Sequence, residues 1–194
     1  VTKPAETSPS KNYGTTDEMK QKLNDLIYQS KKYLGDTITQ PMIDMTLHPL
    51  EKYIVDNRKL LLRRVKKGLV KEVHGCFIPR KIYADKDSVI ALAKTTDPLR
   101  DRYCDVASDV ADLVVELYHR DEKDMATCFI EAYCKQTDDE DTKSILPIYQ
   151  ALKCLSQGLK YSITYQQFDA ETAKEMKQKA TAYYEQAIEV VHHL

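Results

Sequence analysis

The sequence predicts a mainly α-helical domain of the α+β kind, with one small β-hairpin set into it. Three observations carry that expectation. Apolar residues recur at helical spacing from about residue 16 to 66 and again from 105 to 193. Between roughly residues 70 and 94 the apolar period drops to about 2, as in strands that bury one face. Helix punctuation agrees: Thr15-Thr16-Asp17-Glu18 reads as a capping box, and Gly35 and Gly68 stop the first two helical runs.

Each element follows in order. Residues 1–14 are polar and rich in Pro, Ser, Thr and Lys, so a flexible tail is expected there, with 15–194 as one domain. The first helix carries Met19, Leu23, Leu26, Ile27, Tyr33 and Leu34. The second starts near Thr39 with Pro41 in its first turn, and turns Ile43, Leu47, Leu50, Ile54, Leu61 and Val65 inward. Pro49 lies inside that pattern and predicts a kink or a break. Leu69–His74, Lys81–Ala84 and Val89–Ala93 read as strands, the last two joined by the turn Asp85-Lys86-Asp87-Ser88. Beyond Pro98 only helices are expected: Asp105–Tyr118, Glu122–Lys135, Ser144–Tyr165 and Ala170–His193. Pro147 is placed in the first turn of the third of these, and Gly158 weakens its middle.

Length and charge bound the function classes. The 194 residues suffice for one domain with its own core. Charged residues make up 30% yet the net charge is −1, which argues against a nucleic-acid or anionic-membrane surface. No apolar run reaches the roughly 18–20 residues of a membrane span. The start, VTKPAETSPSKNYGTT, lacks the basic and apolar regions of a signal peptide; without an initiator Met, it reads as an excised domain or a processed chain. Five cysteines without a CxxC (Cys76, Cys104, Cys128, Cys134 and Cys154) read as free thiols in a reducing, cytoplasmic compartment, with Cys104, Cys128 and Cys154 among apolar helix residues.

Three stretches carry a family resemblance. VKEVHG (Val70–Gly75), RYCDVASDVADL (Arg102–Leu113) and LPIYQA (Leu146–Ala151) are similar to segments of the aminoglycoside-phosphotransferase-like kinases, in the branch often fused to a P-loop domain. With its spacing the resemblance covers roughly residues 25–165, and it implies the helical C-terminal lobe of a kinase-like fold. In that family, His-Gly is followed by a catalytic Asp, a second His, a metal-binding Asn, and on the next strand a second metal-binding Asp. Here those places are taken by Cys76, Ile78, Lys81 and Ala93. Phosphoryl transfer needs a carboxylate to orient the attacking hydroxyl and oxygen ligands to hold Mg²⁺ on the phosphates. A thiol, an alkyl chain, a cation and a methyl group supply neither.

The family's nucleotide-binding lobe has no counterpart either. The segment before residue 39 reads as tail plus helix, and neither GxGxxG nor GxxxxGK[ST] occurs. The resemblance thus implies a degenerate lobe: no enzyme, no cofactor, no metal, and a role as an interaction or regulatory module. Two alternatives stay open. One is a small-ligand domain using the old substrate cleft, with His74, Arg80 and Lys81 as candidate contacts for a small anion. The other is an accessory part of a larger ATP-binding protein.

Other candidates weigh less. His119-Arg120-Asp121 spells the kinase HRD triplet, but it falls between two helices, and Asp121 reads as a helix N-cap. His74 and Cys76 are two ligands where zinc needs three or four. Asp105 and Asp109 share a face near a helix start, where they favour the helix dipole. Lys66, Lys67, Lys71, Arg80 and Lys81, with Arg63 and Arg64 upstream, make a basic cluster suited to an acidic partner. Phe77 and Ile78 are the interface candidates: with no N-lobe to cover them, they are expected to lie under residues 15–40 or under a second copy of the chain.

Overall fold

The computed structural model describes residues 13–92 and 103–194. Among them are seven α-helices: α1 (Thr16–Ser30), α2 (Gln40–Asp56), α3 (Arg58–Lys66), α4 (Ala107–His119), α5 (Lys123–Thr137), α6 (Asp141–Thr164) and α7 (Ala170–His192). Four short strands accompany them: β1 (Val70–Glu72), β2 (Ile82–Ala84), β3 (Val89–Ala91) and β4 (Tyr103–Asp105). The mainly helical expectation holds. The strands form two antiparallel two-stranded sheets instead of one hairpin. In the expected hairpin, Ile82 faces Ala91 and Ala84 faces Val89. In the second sheet β1 pairs with β4, Val70 opposite Asp105 and Glu72 opposite Tyr103. The apolar period predicts a helix from Asp105 and no strand at residues 103–105. The pairing with β1, from 31 positions apart at Glu72–Tyr103 to 35 at Val70–Asp105, is a long-range contact that local periodicity cannot register.

The core lies where α6 and α7 pack against each other, with α1, α2 and α4 leaning on them. Leu23, Ile43, Leu50, Ile54, Val114, Ile148, Leu155 and Ala187 fill it. Gly158 permits the closest approach: a Cβ there would lie 2.8 Å from the Tyr184 ring. Tyr184 is buried, and its hydroxyl donates to Ser30 at 3.1 Å.

Three boundaries differ from the sequence reading, each for a local reason. Pro49 sits inside an unbroken α2. It and Met45, whose carbonyl it leaves unbonded, are exposed, so water can take that carbonyl. The break comes at Asn57, whose ψ of 12° leaves the helical region and whose amide donates to the Tyr53 carbonyl at 3.0 Å. α6 begins at Asp141, so Pro147 lies beyond its first turn, with exposed Lys143 as the carbonyl it leaves free. Asp121 is not an N-cap: its φ of 62° is left-handed, its N–H closes the preceding helix onto Tyr118, and Glu122 holds the cap position of α5. At the other end, residues 13 and 14 of the expected tail are packed. The Tyr13 ring lies 5.4 Å from that of Tyr103, and buried Gly14 at φ +70° leaves no room for a Cβ against Val70.

Candidate functional site

The segment Val73–Ile78 leaves β1, turns at Gly75 (φ 71°) and enters a 3-10 turn at Pro79–Lys81. Its shape is set by two aspartates of α4. Asp109 accepts the His74 N–H at 2.8 Å on one oxygen and the Gly75 N–H at 3.0 Å on the other. The His74 ring nitrogen Nδ1 approaches the same carboxylate at 3.3 Å. One turn on, Asp112 accepts the Phe77 N–H at 3.1 Å and pairs with Lys153 of α6 at 2.5 Å. Burial pushes the Asp109 carboxyl above its usual range against the pull of those two N–H groups, and the Asp112 charge adds to the rise.

A buried ion cluster is centred on Arg64 of α3. Arg64 is fully buried and grips Asp105 with two hydrogen bonds, at 2.7 and 2.9 Å. It reaches Asp139 at 2.9 Å, and Asp139 accepts from the Thr142 hydroxyl at 2.8 Å. Burial pulls the Arg64 guanidinium down, but the Asp105 and Asp139 bonds outweigh that and hold it well above its usual range. The same exchange, burial against the Arg64 bond, leaves Asp139 below the usual carboxylate range. The cluster joins α3, β4 and the start of α6; α3 leads into β1 and β4 into α4, the two elements that carry the loop and its Asp109 anchor.

Several expectations change here. Asp105 lies outside the helix that holds Asp109, although it still meets that helix's first N–H. It ends β4 and spends its carboxylate on Arg64, with one oxygen also taking the Ala107 N–H at 2.9 Å. Asp109 serves the loop, not its own helix end. Arg64 is no part of a basic surface; of its neighbours, Arg63 and Lys67 are shared with Asp141 at 2.7 and 3.4 Å. Ile78 is buried within the chain at 3% exposure, and Phe77 is half-buried with its ring 6.2 Å from Phe129 of α5. Phe129 of α5 supplies part of the cover on Phe77. Cys128 is exposed, and Cys134 takes a buried place alongside Cys104 and Cys154.

Cys76 is half-buried between the anchored residues Gly75 and Phe77, and Lys81 is half-buried in the 3-10 turn. Ala93 lies outside the described residues. Two recesses flank the loop. One, of about 390 Å³, lies between α1, α4 and α6 and is lined by Gly75, Cys104, Ser108, Tyr149 and Lys153. The other, of about 310 Å³, is lined by His74, Phe77, Asp109, Phe129 and Tyr133. Of the candidate ligand contacts, His74 lines the second recess; Arg80 and Lys81 line neither. Among the described residues, no three His, Cys, Asp or Glu side chains gather as a metal site would require, and no helix is long and apolar enough to cross a membrane.

Sequence reasoning missed Asp112, Asp139, Thr142 and Lys153. A signal for the first was present. Asp112 falls among Val110, Ala111, Leu113 and Val114, where a lone carboxylate in an apolar helix run must find a partner. No protein-family model, curated protein or solved structure matches the chain.

Proposed function

We propose that this chain is a non-catalytic lobe built on the aminoglycoside-phosphotransferase-like plan, working as an interaction or regulatory module. The reading rests on one observation above all. The His74–Phe77 backbone is held by three N–H bonds to Asp109 and Asp112, so the loop has a fixed shape, while the side chain between them is the thiol of Cys76. The two carboxylates that hold the loop, Asp109 and Asp112, are committed to its amides and to Lys153, which leaves them poorly placed to take up Mg²⁺. Such a loop keeps a geometry without a carboxylate at its centre, where Cys76 stands.

The test is nucleotide binding. Isothermal titration with Mg-ATP up to millimolar concentration is expected to show no saturable heat, and a phosphate-release assay no turnover. Saturable, Mg²⁺-dependent binding would overturn the reading. A second reading, a small-ligand domain, is favoured by Tyr149. It lines the larger recess, is 5% exposed, and its hydroxyl is buried with no hydrogen-bond partner. A buried hydroxyl left without a partner costs about 1–3 kcal/mol, and a bound polar group or water would remove that cost. Thermal-shift screening against small organic acids and phosphates, with Tyr149→Phe as control, separates this reading from the first.

A further inference from the structure

Among the described residues, the β2–β3 hairpin is the least covered part of the fold. Tyr83, Val89, Ile90 and Leu92 are 58%, 71%, 57% and 49% exposed. Its hydrogen bonds fix which backbone groups point outward. Leu92 N–H donates to the Lys81 carbonyl at 3.0 Å and Asp85 N–H to Ser88 at 2.8 Å, so 81/92 and 85/88 are hydrogen-bonded pairs. By the alternation of an antiparallel ladder, Tyr83/Ile90 is the pair between them, and the amides of Ile82 and Ala84 point away from β3. The Ile82 N–H turns back to the Pro79 carbonyl. The Ile82 carbonyl and both backbone groups of Ala84 remain on the outer edge, where Tyr83 and Ala84 are exposed. An open edge of this kind is a template for another strand.

We infer that the outer edge of β2 pairs antiparallel with the same edge of a second copy of this chain, centred on Tyr83. The backbone selects the register: Ile82 and Ala84 carry the outward groups, so Ile82 must face Ala84 of the second copy, and Tyr83 its own counterpart. Charge then complements the pairing. Lys81 comes opposite Asp85 of the second copy, and by two-fold symmetry this happens twice. The edge is basic at its base and acidic at its tip, which makes it complementary to itself when reversed. Sliding the copies by two residues leaves one strand pair in place of three. Arg80 and Lys86 of the second copy oppose each other one position further out, inside the Pro79–Lys81 turn, whereas Lys81 at the end of that turn is still held in register by the Leu92 N–H. An edge of three residues makes a small interface, so the dimer is weak, with Kd on the order of 100 μM.

This extends the reading above by naming a partner, and the two fail separately: Mg-ATP binding bears on the first, association state on the second. Sedimentation equilibrium of the full chain from roughly 10 to 500 μM is expected to show a reversible monomer–dimer equilibrium. Ala84→Pro removes one outward N–H and leaves the hairpin's own bonds at 83 and 85 intact, so it should weaken the dimer about tenfold with the fold unchanged. Lys81→Asp and Asp85→Lys should each weaken it about threefold, and the double swap should restore it. A wild type that stays monomeric, a dimer indifferent to Ala84→Pro, or a double swap without rescue overturns the inference.

Discussion

Around Gly158, α6 and α7 meet through apolar side chains and a tyrosine ring; around Arg64, α3, β4 and the start of α6 meet through a guanidinium and two carboxylates. Both regions are buried, but they fail differently. An apolar contact loses energy in proportion to the atoms removed, and its neighbours relax partway into the gap. A buried charge cluster is all or nothing, because taking one member leaves the others charged and dry. The comparison teaches where this fold is brittle. The helical pair is deep and tolerant, whereas the loop of Val73–Ile78 hangs from a handful of polar bonds.

Removing the arginine is the sharpest way to break that contrast. Arg64→Ala strands Asp105 and Asp139 and is expected to cost about 3–5 kcal/mol. Urea denaturation followed by circular dichroism measures the loss, and limited proteolysis should show the first new cut between residues 70 and 92. A uniform loss of protection across α6 and α7 would mean that the two regions are one cooperative unit.

Gly158→Ala tests the other side. Its Cβ would meet Tyr184 ring atoms at 2.8 and 2.9 Å, tighter than any side chain tolerates without a shift. Overpacking of about 1–3 kcal/mol is partly offset by the helix preference of Ala over Gly, about 1 kcal/mol, so a net loss of up to about 2 kcal/mol is expected. A stabilised variant would show that α6 and α7 can part more easily than their packing implies.

Acid should separate the regions without mutation. Asp139 lies below its ordinary value of 3.8, burial opposing and the Arg64 and Thr142 bonds prevailing. A lowered carboxylate contributes stability that is present above 3.8 and lost as pH falls through its folded value. Near the α4–α7 contact the His119 ring stacks on Tyr183 at 4.1 Å. Burial, with Lys179 and Arg120, lowers it from 6.5, while Glu116 opposes. A lowered histidine likewise contributes stability that is present above 6.5 and lost as pH falls through its folded value. The helical end should therefore soften first, below pH 6.5, and the Arg64 cluster only below pH 3.8. His119→Gln should flatten the upper step and leave the lower one; urea midpoints across pH check this, and a single step near pH 4 in the wild type would refute it.

The smallest effect is chemical. Burial raises the Cys104 thiol to about 11 and pushes Cys154 higher still, while Cys128 is exposed. Native protein should react with a disulfide reagent rapidly at Cys128, more slowly at half-buried Cys76, and at Cys104, Cys134 and Cys154 only on unfolding. Mass spectrometry of the labelled peptides reads the order.

The sequence alone determined the helices, because a 3.6-residue apolar period is a local property that survives any later packing. Met19, Leu23 and Ile27, or Ile43, Leu50 and Ile54, had to share a face before anything was known of what they would touch. It also determined the β2–β3 hairpin, since the turn Asp85–Ser88 lies between two short apolar runs. The tertiary structure decided what charge does. Arg64 stands among Arg63, Lys66 and Lys67 in the chain and reads as surface, yet it is the one that turns inward, because Asp105 and Asp139 wait there from 41 and 75 positions away. The pairing of β1 with β4 and the loop bonds of Asp109 and Asp112 were equally out of reach. A hydrogen bond or an ion pair is directional and selects one partner among many, so it becomes visible only once the apolar faces have brought distant segments together.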